Sequence, residues 1–285
     1  MSQSENSYIE TLVAKEVFVN GNHMRIDRLE NGAWRMVLNR PAVKNAFNAE
    51  MISEISDGLK KLLTLHPDDL RLLILSGEGP VFCAGADLNY MRQQASAGLS
   101  DNIKDARMLG QMFFRLASFP VPVLAEIQGA AVGGGFGLAV CADVVLARPQ
   151  TQFATSEVKL GLVPGVISPY VMRKLNLGHA SYMMLSGGKI LADEALRYGI
   201  VNRIAPVEAG VLKEMVDELL QAGPQSARRT KELIRHASPL PPPETFEYTV
   251  RAIADARVAP EAQAGLAAFF DKKSPAWKPE SRAKE

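Results

Sequence analysis

The sequence predicts an α/β fold, and three observations carry that prediction. Residues 70–75, 121–127 and 144–147 are apolar runs with almost no polar alternation, the pattern of strands covered on both faces. Met51, Ile52, Ile55, Leu59, Leu62 and Leu63 recur at helical spacing behind Asn48, a good helix N-cap. From Ser168 onward helical patterns dominate, so strands alternate with helices over the first two thirds and helices alone fill the rest.

In chain order, residues 34–39 read as a strand, residues 41–47 as a loop stiffened by Pro41 and Asn45, and Asn48 as the cap of the first helix. The buried strand at 70–75 ends in the turn residues 76–80. A second strand spans 121–127, and a third, Val144–Ala147, stops at Arg148-Pro149, with a glycine-rich segment and a short helix between them. Ser168-Pro169 reads as an N-cap followed by proline at the first helical position, and further helices begin near His179, Leu191 and Val207. Gly223-Pro224 and the prolines of 239–243 separate the last helices, and 275–285 is polar and expected to fray. These readings divide the chain into a flexible N-terminal extension, 1–20, an α/β core, 21–206, and a C-terminal helical region, 207–285.

Hydrophobic residues make up 47% and charged residues 22% of the 285 residues, a balance able to fill a large core. The formal charge of +1 provides no basic field for nucleic acid or an anionic membrane, so neither partner is expected. Cys83 and Cys141 are too few for a disulfide framework, and neither they nor His23, His66, His179 and His236 show ligand spacing for a metal. Residues 1–20 contain no apolar run of signal-peptide length, so a cytoplasmic location is expected. Glu126, Gln128, Asp143 and three consecutive glycines interrupt the most apolar stretch, 121–147, which is read as buried core rather than a membrane span.

Four segments combine small residues with isolated charges where strands end, the place where α/β folds hold ligands. Asn39-Arg40-Pro41-Ala42-Val43-Lys44-Asn45-Ala46 carries two cations and reads equally as a rigid loop or a ligand contact. Phe82-Cys83-Ala84-Gly85-Ala86-Asp87-Leu88 and the stretch from Gly129 through Gly133-Gly134-Gly135-Phe136-Gly137 let a ligand approach backbone N–H groups, the second leading into a helix whose N-terminus favours an anion. Taken alone, each also reads as a tight turn. Ser156-Glu157-Val158 places one carboxylate among apolar neighbours, where a raised pKa suits proton transfer, although a capping glutamate fits as well. Dinucleotide, phosphate-loop and nucleophile-elbow signatures are missing: Gly133-x-Gly135 is followed by Leu138 where the dinucleotide pattern needs Gly or Ala.

In this order and spacing, from about Trp34 to Trp277, the four segments resemble the enoyl-CoA hydratase/isomerase (crotonase) superfamily. The resemblance implies a crotonase-like spiral of ββα units with a C-terminal helical trimerisation region, forming homotrimers or hexamers built as a dimer of trimers. It implies a hydro-lyase whose substrate is an acyl-CoA thioester and which needs no cofactor. Ala86 and Gly134 match the family's two oxyanion-hole N–H groups and Glu157 its catalytic glutamate; Lys44, Ala84 and Asp87 match the loops that grip CoA, with Gly133 and Gly137 further expected substrate contacts, while Tyr90 reads equally as lining an acyl pocket or as simple helix packing. Residues 264–269, followed by Lys272-Lys273, resemble the last helix, which in the family lies near a neighbouring subunit's CoA.

Two departures stand out. Family hydratases use a second glutamate in the helix after the glycines, where this chain has Gly137, and the usual Gly-Gly-Thr after the Pro-Gly turn is replaced by Ile167-Ser168-Pro169. With one carboxylate, Glu157 is expected to handle the proton at C2 and help position water at C3, Gly137 to leave space beside C3, and the substrate's own carboxylate either to hold water there or to occupy the vacated volume, partnered by Lys159, Arg173 or a backbone amide. The segments 84–91 and 156–170 resemble the branch that hydrates 3-methylglutaconyl-CoA or isohexenylglutaconyl-CoA in leucine and acyclic-terpene breakdown. A 3,2-enoyl-CoA isomerase also manages with one glutamate; a non-catalytic acyl-CoA-binding or RNA-binding relative and a thioester hydrolase are the remaining alternatives.

Overall fold

The computed structural model describes residues 10, 12–237 and 242–277, so half of the expected N-terminal extension and the part of the expected frayed segment beyond 277 lie outside the described residues. The strands are β1 (Ala14–Asn20), β2 (Met24–Leu29), β3 (Trp34–Leu38), β4 (Leu73–Gly77), β5 (Val123–Ile127), β6 (Ala130–Val132), β7 (Val144–Ala147), β8 (Gln152–Ala154), β9 (Lys189–Leu191) and β10 (Arg203–Ile204). The helices are α1 (Ala49–Leu62), α2 (Leu88–Ser96), α3 (Leu99–Ala117), α4 (Gly134–Cys141), α5 (Ser168–Lys174), α6 (Leu177–Ser186), α7 (Ala192–Arg197), α8 (Val211–Leu220), α9 (Pro224–Ala237), α10 (Pro242–Val258) and α11 (Pro260–Phe270).

Among the described residues the main sheet runs β1-β2-β3-β4-β5-β7-β10, antiparallel from β1 to β3 and parallel from β3 onward. A smaller sheet, β6-β8-β9, stands beside it. The continuous apolar run before and within β4 has a simple cause. Leu73 and Leu75 point into one core with Met36, Leu38, Ile52, Ile55 and Leu59, while Leu72 and Ile74 point into a second with Leu124, Leu146 and Leu212, Val216 and Leu220 of α8. Both faces are therefore covered, as period-2 strand geometry requires of a sequence with no polar alternation. Asn48 caps α1 by accepting the Met51 N–H at 2.9 Å, and the predicted face of α1 is buried except for Leu63, which ends the helix and is exposed.

The expected extension 1–20 is corrected at its end: Ala14–Asn20 is a strand paired with β2. Its residues are mostly exposed and its pairing breaks register twice, so it is an edge strand, held by backbone hydrogen bonds and by Phe18 and Val19, which pack against the core, Phe18 edge-on to Trp34 at 5.0 Å. Glu10 is buried as well. Its backbone N–H donates to Glu126 (2.8 Å), and its carboxylate accepts the Leu212 and Lys213 N–H groups (3.1 and 3.0 Å) at the start of α8. Glu126, fully buried in β5, also takes Arg35 (2.6 Å) and Arg148, so two carboxylates and two guanidiniums close a charge-balanced cluster at the centre of the sheet.

Two smaller differences concern helix starts. The cap of α5 is Ile167, with Ser168 and Pro169 as its first residues, and Val207–Ala209 is a 3-10 turn that precedes α8. In the C-terminal part, Lys231 of α9 reaches Asp143 at 2.6 Å and the Val121 carbonyl at 2.9 Å, and Arg71 donates to the carbonyls of Leu220, Ala222 and Trp277, which holds these helices to the sheet.

Candidate active site

Three of the four segments are joined through their backbones. Asn45, fully buried with a left-handed φ of +53°, accepts the Arg40 N–H (2.7 Å) and donates to the carbonyls of Glu78 and Val81, both at 2.8 Å. The 41–47 loop is thereby pinned, and the Lys44 carbonyl accepts the Ala84 N–H at 3.0 Å while the Lys44 side chain stays exposed. Phe47 donates to the Gly85 carbonyl (2.7 Å) and accepts from Asp87 N–H (2.8 Å). In a parallel bridge of this kind the residue between the two bonded ones, Ala86, turns its own N–H to the other side. That N–H has no acceptor among the described residues.

The second loop is drawn against the first by Cys83 N–H to Ala130 O and Val132 N–H to Cys83 O, both 3.1 Å. Such an approach requires glycine. A Cβ on Gly85, which has φ +94°, would stand 2.8 Å from the Val132 carbonyl, and one on Gly135 would stand 2.8 Å from Cys83 Cβ. The same Gly85 position is 3.8 Å from Gly134 N, which places the start of α4 beside the Ala86 loop. Gly134 N–H, in the first turn of α4, also has no acceptor among the described residues. Two free donors thus flank one position, with the positive end of a helix behind one of them.

Glu157 arrives from the other side. The parallel pairing of β6 with β8 sets Ala154 beside Val132, and Gly133 N–H donates to Ala154 O at 2.9 Å, so the 3-10 turn Glu157–Leu160 falls over Gly133. A Cβ on Gly133 would lie 3.3 Å from Glu157 Oε1; glycine keeps that space open. Glu157 Oε2 is buried without a hydrogen-bond partner among the described residues, and burial raises the carboxyl pKa above its ordinary 4.5, opposed by a backbone hydrogen bond. A carboxyl of this kind takes and returns protons more readily than one locked in an ion pair.

Other expected site residues are engaged elsewhere. Asp87 caps α2, accepting the Asn89 and Tyr90 N–H groups, and pairs with Arg40 at 3.2 Å, so its side chain is committed within the protein. Tyr90 is buried and donates its hydroxyl to Asp105 of α3; burial and that carboxylate push its pKa upward. Ala84 is half-buried and its N–H is used by Lys44. Cys83 is fully buried with its thiol pushed up to about 12, which fits a packed residue and not a nucleophile. Lys159 and Arg173 are both exposed.

The expectation for Gly137 is corrected. It is buried, and a Cβ there would lie 2.5 Å from Ile167 Cγ2 and 2.8 Å from Phe113 Cζ, so the volume that a glycine vacates is already filled. Sequence reasoning singled out Ile167 only within the replaced turn, without saying what it touches, and missed Phe113 altogether. For Ile167 the signal was present in the replaced Gly-Gly-Thr; for Phe113 it was only the apolar face of a long helix.

Residues 28–280 match the sequence profile of the family described as Enoyl-CoA hydratase/isomerase. A protein of Thermus thermophilus named "Putative enoyl-CoA hydratase" is 32% identical over 84% of this chain and 94% of its own length. The Escherichia coli protein named "2,3-dehydroadipyl-CoA hydratase" is 30% identical over 85% of this chain and 94% of its own. Among solved structures, an enoyl-CoA hydratase from Shewanella pealeana superimposes with a TM-score of 0.85 at 37% identity, covering 90% of this chain and 96% of that one.

Proposed function

The chain belongs to the enoyl-CoA hydratase/isomerase family and has its mixed α/β crotonase fold, and from that premise we propose that it is a hydratase of a branched glutaconyl-CoA. In this reading the Ala86 and Gly134 N–H groups receive the thioester oxygen of a 2-enoyl-CoA and stabilise the negative charge that develops there. Water adds at C3 as Glu157 takes its proton; the C2=C3 electrons move into the thioester as an enolate, and Glu157 returns the proton to C2. Atoms balance with one carboxyl and no cofactor, the CoA thioester being the substrate. The observation that carries the reading is the Glu157 carboxyl, with Oε1 over Gly133 and Oε2 buried and unpartnered among the described residues, one residue from a free helix N-terminal N–H.

Support for a glutaconyl-type acyl group, isohexenylglutaconyl-CoA or 3-methylglutaconyl-CoA, comes from what the protein lacks at Gly137. With no second carboxyl there, an acyl group that brings its own carboxylate can hold the attacking water, and a relative named for 2,3-dehydroadipyl-CoA points toward diacid thioesters. A second reading, 3,2-enoyl-CoA isomerase, is favoured by the same apolar surroundings of Gly137, because moving a double bond needs one proton-shuttling base and no water. The assay that separates them follows enoyl-thioester absorbance. Loss with a glutaconyl thioester and little with crotonyl-CoA supports the hydratase; gain from a 3-enoyl-CoA alone supports the isomerase; no change with any thioester refutes both.

Assembly into trimers, or hexamers as a dimer of trimers, and a cytoplasmic location belong to the same proposal. Leu177 and Leu185 of α6 and Ile253 of α10 are exposed apolar side chains whose burial between copies supports assembly, tested by whether light scattering gives three or six times the 31.0 kDa chain. No helix among the described residues is long and apolar enough to cross a membrane.

A further inference from the structure

Resting on the single-base reading of Glu157, we propose that Ile167, backed by Phe113, is the residue that determines which thioesters the enzyme hydrates: it seals the position of a second catalytic carboxyl with an apolar wall and so restricts hydration to acyl groups that carry their own carboxylate. Gly137 N–H donates to Gly133 O at 2.9 Å, which puts Gly137 one turn of α4 deeper than the glycine under Glu157. Four residues along a helix is a rise of about 6 Å, so a side chain at 137 would start about that far along α4 from the glycine under Glu157. At that place stand Ile167 Cγ2 and the Phe113 ring edge, 2.5 and 2.8 Å from where a Cβ of residue 137 would be. Ile167 is 3% exposed and Phe113 0%.

The wall is fixed and offers water nothing to bind. Ile167 caps α5: its carbonyl accepts the Tyr170 and Val171 N–H groups at 3.0 and 3.1 Å, and the next residue, Ser168, donates to Pro164 O at 2.9 Å. Its backbone cannot swing the side chain aside without breaking those bonds. Val166, beside it, faces Gly110 of α3, where a Cβ would come within 3.6 Å of Val166 Cγ1, and the Tyr170 ring leans against Phe113 at 6.2 Å. An ordered water needs two to four polar partners. Here the Gly137 N–H and the Ile167 carbonyl are already used within the protein, and the facing side chains of Ile167 and Phe113 are apolar.

The test compares wild type, Gly137→Glu, Ile167→Gly and the double variant by kcat/KM on crotonyl-CoA and on 3-methylglutaconyl-CoA, with melting temperatures. Gly137→Glu alone is expected to melt lower and to gain nothing on crotonyl-CoA. The double variant is expected to hydrate crotonyl-CoA at least tenfold faster than either single variant, and to lose that gain when Glu157→Gln is added. A Gly137→Glu protein with wild-type melting and the full gain overturns the proposal, as does a folded double variant with none. Ile167→Thr, which keeps the Cγ2 that stands against Gly137, removes Cδ1 and puts a hydroxyl in place of Cγ1, is the second variant. It is expected to raise the crotonyl-to-glutaconyl ratio about tenfold, and an unchanged ratio overturns the proposal. Failure of wild type on every 2-enoyl substrate would instead refute the hydratase reading; crotonyl-CoA hydration by the variants judges the wall in either case.

Discussion

Replacing Glu157 with Gln preserves the shape of the side chain and removes its ability to accept a proton, so it separates chemistry from binding. General acid–base catalysis by a positioned group contributes about 10²–10⁴-fold, which corresponds to about 3–5 kcal/mol of barrier. Glu157→Gln should lower kcat by that factor while leaving KM within a few-fold, because the Ala86 and Gly134 N–H groups and the loops remain in place. The same change has a signature in stability. Burial raises the Glu157 pKa above its ordinary 4.5, so folding favours the neutral acid. That contribution is fully present below 4.5 and is lost as pH rises through the higher folded value, above which wild type carries a desolvated charge with one oxygen unpartnered. The variant should therefore melt above wild type at pH 8, and the difference should shrink toward zero near pH 4. Wild-type kcat/KM should rise with pH along a limb displaced above 4.5, and that limb should vanish in the variant. Near-normal turnover of Glu157→Gln, or a variant that melts below wild type at pH 8, would refute the reasoning.

Gly85→Ala places a methyl 2.8 Å from the Val132 carbonyl in a left-handed conformation, at a cost of about 1–3 kcal/mol, and by parting Ala86 from Gly134 should approach the about 10²–10³-fold loss in kcat of a missing oxyanion donor, read by steady-state kinetics. Asp87→Ala removes the α2 cap and the Arg40 pair, so urea unfolding should show about 0.5–2 kcal/mol lost while kcat changes less than tenfold; a large rise in KM would restore Asp87 as a substrate contact. Arg35→Met leaves Glu126 Oε2 without its partner and should cost about 3–5 kcal/mol; adding Glu126→Leu should not restore stability, because Arg148 and the Glu10 N–H then lose their acceptor, and recovery to wild type in urea unfolding would refute this account of the cluster.

The parts of the fold legible in the sequence are those whose cause is local or periodic. Asn48 had to be a cap, and an apolar run such as Leu72 to Leu75 had to be covered on both sides, because neither reading depends on a distant neighbour. The edge strand Ala14–Asn20 has exposed residues and two register shifts, so it carries no alternation to read, and the three-residue strands of the smaller sheet are too short to show a period. The glycine loops and Glu157 were recognisable as a set only through their resemblance to a known family, since each alone also read as a tight turn or a cap. What filled Gly137 was not. An absent side chain is visible in a sequence, but the atoms that take its place come from Phe113 and Ile167, 54 residues apart and joined only by packing. Asp87 shows the opposite error: its cap role was local and readable, and a ligand role was assigned in its place.

The buried cluster around Glu126 sets a timetable for synthesis. Glu10 leaves the ribosome well before its partners: the amides that receive its carboxylate belong to Leu212 and Lys213, 202 and 203 residues later. At about 5–20 residues per second Glu10 waits about 10–40 s for them. Until then Glu10 can be held only by Glu126, Arg35 and Arg148, without the two amides of α8. Completion of the cluster therefore falls late in translation, when the start of α8 emerges and supplies them.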